Sequence, residues 1–266
     1  PIIKKESKSL VPNVAISSLL NKGSDKVRKA YEDDFNSQLT DQQKIIVNKY
    51  PKPKVIKNNK KGVYYSQTEE MSAPLNAIDK SRYAEKGVRS FVISHEYGHH
   101  IDFKTFDIDG LAWSESHYGF SQAIKTDRKR FKGTSFKSLK KEDIDDYYVI
   151  NSDELQRLSE ELAIKRKVDY VIKGRKVTNL PITEFKADGF GEVSDIIDAL
   201  ARGKFRKNHG MWGHTDSYWR RKGSIEKEIF ANLFSIRHNE KAYNLAKTYI
   251  PNTVKEFEKR LLELAK

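Results

Sequence analysis

Two histidines stand four residues apart in the run His95-Glu96-Tyr97-Gly98-His99, with a glutamate directly after the first. On a helix, positions i and i+4 share a face about one turn apart, so both imidazoles can converge on one small cation. Imidazole pairs of this kind bind tetrahedral Zn²⁺. Glu96 is rotated about 100° from His95, which sets its carboxylate beside the cation rather than on it. There it can take a proton from water activated by the ion, the general-base role of metal-assisted peptide hydrolysis. His100 points off the ligand face and is expected in a solvent or supporting position.

A catalytic zinc keeps three protein ligands and one open position. No third histidine follows at the usual spacing, because residues 102–105 read DFKT. A carboxylate is then favoured, and Glu228 in GSIEKEIFANLFS leads. Phe230, Ala231, Leu233 and Phe234 form an apolar face there that must pack inward, and a charge bracketed by such a face needs a partner. Glu226, Glu192 and Asp195 compete for the same role. Asn232, one turn on, is expected to accept an imidazole N–H and so orient His95 or His99. The preceding stretch HGMWGHTDSYWRRKG carries His209, His214 and Tyr218. Tyr218 first, and His214 second, are expected to donate to the oxyanion of the attacked carbonyl. Asp102 reads equally as a partner for His99 or as a surface residue.

These side chains need elements to hold them. Residues 84–104 are predicted to be helical, with Val88, Phe91, Val92, His95, His99 and Asp102 along one stripe. Gly98 costs about 1 kcal/mol in a helix relative to Ala, and is read as room for a second backbone packed close to the metal. Residues 24–50 read as two helices opened by the N-caps Ser24 and Thr40, and Pro51 and Pro53 end that region. KVIKNNKKGVYYSQ reads as two short strands around a polar turn, with 71–76 as a further extended piece. Residues 107–150 read mainly as loop, with a basic run at KTDRKRFK. Asp153 is expected to cap the helix ELQRLSEELAIKRKVDYVI. VSDIIDALARG is a further helix stopped by Gly203, 204–223 an irregular loop, and Ser224 the start of SIEKEIFANLFSIRH. The tract TVKEFEKRLLELAK closes the chain as an amphipathic helix.

The composition sets outer bounds. The 266 residues include 50 Lys+Arg against 37 Asp+Glu, for a formal charge of +13, and no cysteine. A disulfide framework, a Cys-ligated zinc and a thiol nucleophile are thereby excluded. Charge is uneven: residues 1–64 and 201–266 each carry net +8, whereas 141–200 carry −5. Basic ends of this kind attract nucleic acid, anionic membrane or acidic substrate, or simply solvate the surface. No apolar run approaches the roughly 18 residues of a membrane span, and PIIKKESKSL has no apolar signal core. A soluble, basic, globular protein is expected. A chain that begins at Pro1 is expected to be an excised or processed piece.

The helix FVISHEYGHHIDF, followed far downstream by EKEIFANLFS, resembles gluzincin metallopeptidases. It is similar in particular to the catalytic domain of anthrax lethal factor and its relatives, as is the closing tract YIPNTVKEFEKRLLEL. The succession VSDIIDALARGKFRKNHGMWGHTDSYWRRKGSIEKEIFANLFS resembles the C-terminal region of phage minor head, or head-morphogenesis, proteins. The resemblance spans about 62–266. It implies an α+β, zincin-like fold with a small twisted sheet, an active-site helix and a helical C-terminal half. It implies His95, His99 and Glu228 as zinc ligands, Glu96 as base and Tyr218 as oxyanion helper. The long interval between His99 and Glu228 makes 107–200 an insertion. Residues 1–60 stand apart as a mostly helical, basic segment.

The expected activity is therefore zinc-dependent hydrolysis of peptide bonds in a protein or peptide substrate, which an edge strand within 62–76 would bind by strand addition. A phage particle, where head or portal proteins would be partners, or an exported toxin-like setting suits it. The alternative from another class is a non-catalytic phage head or portal component with a structural or vestigial zinc. A DNA-binding domain carrying a decayed peptidase motif is a third reading, with basic ends facing nucleic acid.

Overall fold

A computed structural model describes residues 11–19, 24–55, 63–72, 91–106, 110–132, 190–201 and 214–266. The expected helix after Asp153, the stop at Gly203, His209, and the stretches 73–76, 84–90 and 133–150 lie outside the described residues. The architecture is broadly α+β: mostly helical, with one small sheet.

Helix α1 (Asp25–Gln38) and helix α2 (Asp41–Lys49) begin where the sequence places their caps. Ser24 Oγ accepts from the Val27 N–H, and Thr40 and Gln43 form a reciprocal capping box. That arrangement satisfies donors a helix start leaves orphaned. The free end of Gln43 then donates from Nε2 to the Phe234 carbonyl at 2.7 Å, which joins this N-terminal pair to the far end of the chain. Tyr31, Phe35, Ile46 and Val47 are buried in the same core cluster as Tyr97 and Phe234.

The sheet has strands β1 (Lys54–Val55), β2 (Val63–Tyr65) and β3 (Glu70–Ser72) in the order β1-β3-β2. The two strands expected as neighbours around one polar turn do not pair with each other. Instead β3 inserts between them, antiparallel to β2 in the register Tyr64↔Met71 and parallel to β1. The short connection 66–69 decides this, because it turns the chain back at once, with Glu69 at φ 53°. Lys104 Nζ binds Glu69 Oε1 at 2.8 Å and pins the turn to the helix that follows.

That helix, α3 (Phe91–Lys104), carries the paired histidines. It is buried nearly all round. The expected stripe through His95, His99 and Asp102 is only one of its contact faces, since Ile93, Tyr97 and Ile101 are each fully buried on another. A helix enclosed on every side must satisfy its polar residues internally. His100 therefore does not face solvent: Nε2 lies 2.6 Å from the Pro51 carbonyl and Nδ1 3.2 Å from the Tyr64 hydroxyl of β2.

Two helices replace part of the expected loop at 107–150: α4 (Trp113–Ser116) and α5 (Tyr118–Lys132). Phe120, Ala123, Ile124 and Asp127 recur at helical spacing and are all buried, a pattern the basic run after them obscures. Then come α6 (Phe190–Ala201), the single turn α7 (Asp216–Trp219), α8 (Ser224–Ile236), α9 (Glu240–Tyr249) and α10 (Pro251–Ala265). Ile250 gives α10 no side-chain cap. Asp127 of α5 supplies one from outside, accepting from the Asn252 and Thr253 N–H groups and from both of their side chains. Among the described residues no helix is long and apolar enough to cross a membrane.

Candidate metal centre

Helices α3 and α8 lie side by side with almost nothing between them. A Cβ placed on Gly98 would sit 2.8 Å from Ala231 Cα, closer than real Cβ atoms come, and a tight 3.1 Å from Phe234 Cβ. The room expected at Gly98 is thus filled by the backbone of α8. This approach sets Glu228, one turn before Ala231, opposite the histidines. Glu228 Oε2 lies 3.2 Å from His95 Nε2 and 3.6 Å from His99 Nε2.

These spacings suit a shared ion. Ligand atoms about 2.05 Å from a tetrahedral cation stand about 3.3 Å apart. Glu228 is 2% exposed, and a carboxylate so buried needs a cationic partner. The His95 and His99 rings stand nearly perpendicular, at 88°, and both present Nε2 to Glu228 Oε2. His95, His99 and Glu228 therefore form a group that could hold a metal ion.

Electrostatics agree with the geometry. Burial favours the neutral form of Glu228, but His99, His214 and His95 hold its carboxyl well below the usual range. Burial likewise opposes charge on His95, and Glu228 overrides it and raises the imidazole to about 9. Burial pushes the Glu96 carboxyl up, while His95 and His99 pull it back. Glu96 thus sits within the field of the cluster, suited to accept and release a proton.

Helices α6 and α7 supply a second set of neighbours. His214 Nε2 lies 3.4 Å from the other oxygen of Glu228, Oε1, and 4.0 Å from Asp195 Oδ2. The Tyr218 hydroxyl donates to the same Oε1, and its ring stacks on His214 at 3.9 Å. Both residues expected to stabilise an oxyanion are thereby brought to the metal group. Trp219 anchors this turn by donating from Nε1 to the buried Asp198 at 2.8 Å. Asp198 belongs to no motif, although Asp195 and Asp198 recur at i and i+3 between buried Ile196, Ala199 and Leu200.

Several expected roles change. Asn232 does not accept from an imidazole. Its Nδ2 donates to the Glu228 carbonyl at 2.9 Å and to Asp195 Oδ2 at 3.3 Å, so it orients Asp195 instead. Asp102 is neither exposed nor a partner to His99. It accepts from the Ser114 N–H at 2.8 Å and from Ser114 Oγ at 2.5 Å, tying α4 to α3, and burial pushes its carboxyl up to about 7. Glu226 accepts from Ser121 Oγ at 2.9 Å, on a different face from the cluster. The side chain of Glu192 lies outside the described residues. Comparison with protein-family models, curated proteins and solved structures finds no match.

Proposed function

We propose that this chain is a zinc-dependent peptidase in which His95, His99 and Glu228 hold the ion and Glu96 is the general base. One observation carries the reading: ligand atoms of three residues on two helices lie within 4.8 Å of one another around the buried Glu228 Oε2, which stands 3.2 Å from His95 Nε2 and 3.6 Å from His99 Nε2. Two imidazoles and one carboxylate form a donor set that suits zinc and keeps one position open. His214 belongs to a different group, with Asp195 and the opposite oxygen of Glu228, so it does not close a fourth position among the described residues. That favours catalysis over a structural site, which is generally closed by four side chains. The helix FVISHEYGHHIDF followed far downstream by EKEIFANLFS, which resembles gluzincin peptidases, supports the same assignment.

A bound zinc supplies a Lewis acid that polarises a carbonyl and lowers the pKa of water. The chain's own groups do the rest. Glu96 accepts the proton of the attacking water and returns it to the departing amine. Tyr218 turns its O–H from Glu228 to the oxyanion that develops on the attacked carbonyl, with stacked His214 holding its ring. Among the described residues strand β2 is an edge of the sheet and touches α3 through Tyr64 and His100, so an extended substrate added along it would lie beside the helix that carries the histidines.

Glu96→Gln tests the reading. The variant should bind zinc as the parent does and lose hydrolysis of labelled casein by about 10²–10⁴-fold or more. Cleavage at the parental rate would overturn the general-base assignment.

A further inference from the structure

Glu228 has two oxygens, and each faces its own ligands. Oε2 faces His95 and His99, whereas Oε1 faces His214 and, beyond it, Asp195. The ligand atoms of Asp195, His214 and Glu228 all lie within 4.8 Å of one another, as do those of the first group. Asp195 Oδ1 is buried and makes no hydrogen bond, while Asn232 fixes Oδ2. We propose that Glu228 is a bridging carboxylate between two divalent cations, the first held with His95 and His99 and the second with His214 and Asp195.

Spacing favours a pair over a single ion that moves between sites. Carboxylate-bridged cations sit about 3.5–4 Å apart, a separation that the two oxygens of one glutamate can span.

The second site is the weaker one. The side chains of His214 and Asp195 are 39% and 18% exposed, against 14% and 11% for His95 and His99. An ion there must also displace the Tyr218 hydroxyl from Oε1. Filling the second site would turn the His214 ring to the ion and away from Tyr218, whose ring it holds in place for the oxyanion. Excess metal should therefore suppress hydrolysis. That consequence rests on the peptidase reading, but the number of bound ions does not.

The test is equilibrium dialysis of the full chain against stepped concentrations of free Zn²⁺, with bound metal measured by elemental analysis. Two equivalents are expected, the second at least about tenfold weaker, and one equivalent in His214→Ala and in Asp195→Asn. Substitution of Co²⁺ gives a second readout, because two bridged Co²⁺ ions couple magnetically and attenuate each other's electron paramagnetic resonance. A single equivalent at every concentration overturns the bridge and leaves the peptidase reading standing. Two equivalents retained in both variants, or uncoupled Co²⁺, also overturn it. No bound metal in the parent defeats both proposals. Two coupled ions in a protein that cleaves nothing would uphold the bridge and defeat the peptidase.

Discussion

Gly98→Ala perturbs the metal centre without touching a ligand. The added methyl would start 2.8 Å from Ala231 Cα, a backbone atom that no rotamer change can move aside. Ordinary contact requires about 3.4–4 Å, so α3 and α8 must separate by roughly 0.6 Å or more, an overpacking that costs about 1–3 kcal/mol. Better helix propensity returns about 1 kcal/mol, so net destabilisation of the apo-protein should be modest, about 0–2 kcal/mol. Metal affinity should suffer more. The ligand atoms lie at 3.2 and 3.6 Å across this same helix pair. Metal geometry tolerates only about ±0.2 Å. A loss of about 10- to 100-fold is expected, the range seen when support for a ligand is removed. Chelator competition measures affinity, and thermal unfolding of the apo-protein measures stability. Gly119→Ala is the control, because the atoms nearest its methyl belong to the ring of His117 and the end of Glu256, neither of them a ligand. Zinc affinity within about twofold of the parent in Gly98→Ala would refute the idea that the approach at Ala231 sets the site.

Glu228→Gln removes the charge shared by both histidines and should weaken zinc binding by at least about 100-fold in the same competition assay. Unchanged affinity would turn attention to Asp195. Asp127→Ala deprives four donors at the start of α10 of their acceptor and should cost about 2–4 kcal/mol, read as a fall in the unfolding midpoint. An unmoved midpoint would mean that α10 needs no cap. Acid should destabilise the fold through Glu32. Burial alone would raise its carboxyl, but the Ser17 hydroxyl and N–H, Lys29 and the Ile16 N–H override it and bring it down to about 2. Its folded pKa lies below the unfolded value of 4.5, so this contribution is complete above pH 4.5 and is lost as pH falls towards 2. With the side chain only 12% exposed, the contribution is about 3 kcal/mol. His238, lowered to about 4 chiefly by burial, loses stability in the same direction as pH falls from 6.5 through 4. Denaturant unfolding between pH 7 and 2 should show this slope, flattened below pH 4.5 in Glu32→Gln; an identical slope in that variant would exclude Glu32 as its source.

What was legible in the sequence is what local spacing controls. Four residues of helix bring His95 and His99 to one face whatever surrounds them. Ser24 and Thr40 announce the starts of α1 and α2 because a cap bonds to its own next turn. Glu228 stood out because a lone charge within Phe230, Ala231, Leu233 and Phe234 cannot face an apolar neighbour unpaired. Gly98 was readable as a gap, although which backbone fills it was not.

Tertiary contact decided the rest. Asn232, Asp102 and His100 each had capacity for several hydrogen bonds, and their spacing allowed metal support, surface exposure or core roles alike. Only packing gave Asn232 the carboxylate of Asp195, Asp102 the start of α4, and His100 the Pro51 carbonyl. Pairing of β3 between β1 and β2 turns on a tight reversal whose closure energy is not written in strand propensity. Helix α5 lay hidden because its buried face is short and its exposed face is strongly basic. The second group of candidate ligands was the least visible. Asp195 and His214 meet Glu228 only because α6, α7 and α8 pack together, and no periodicity in any one of them records that meeting.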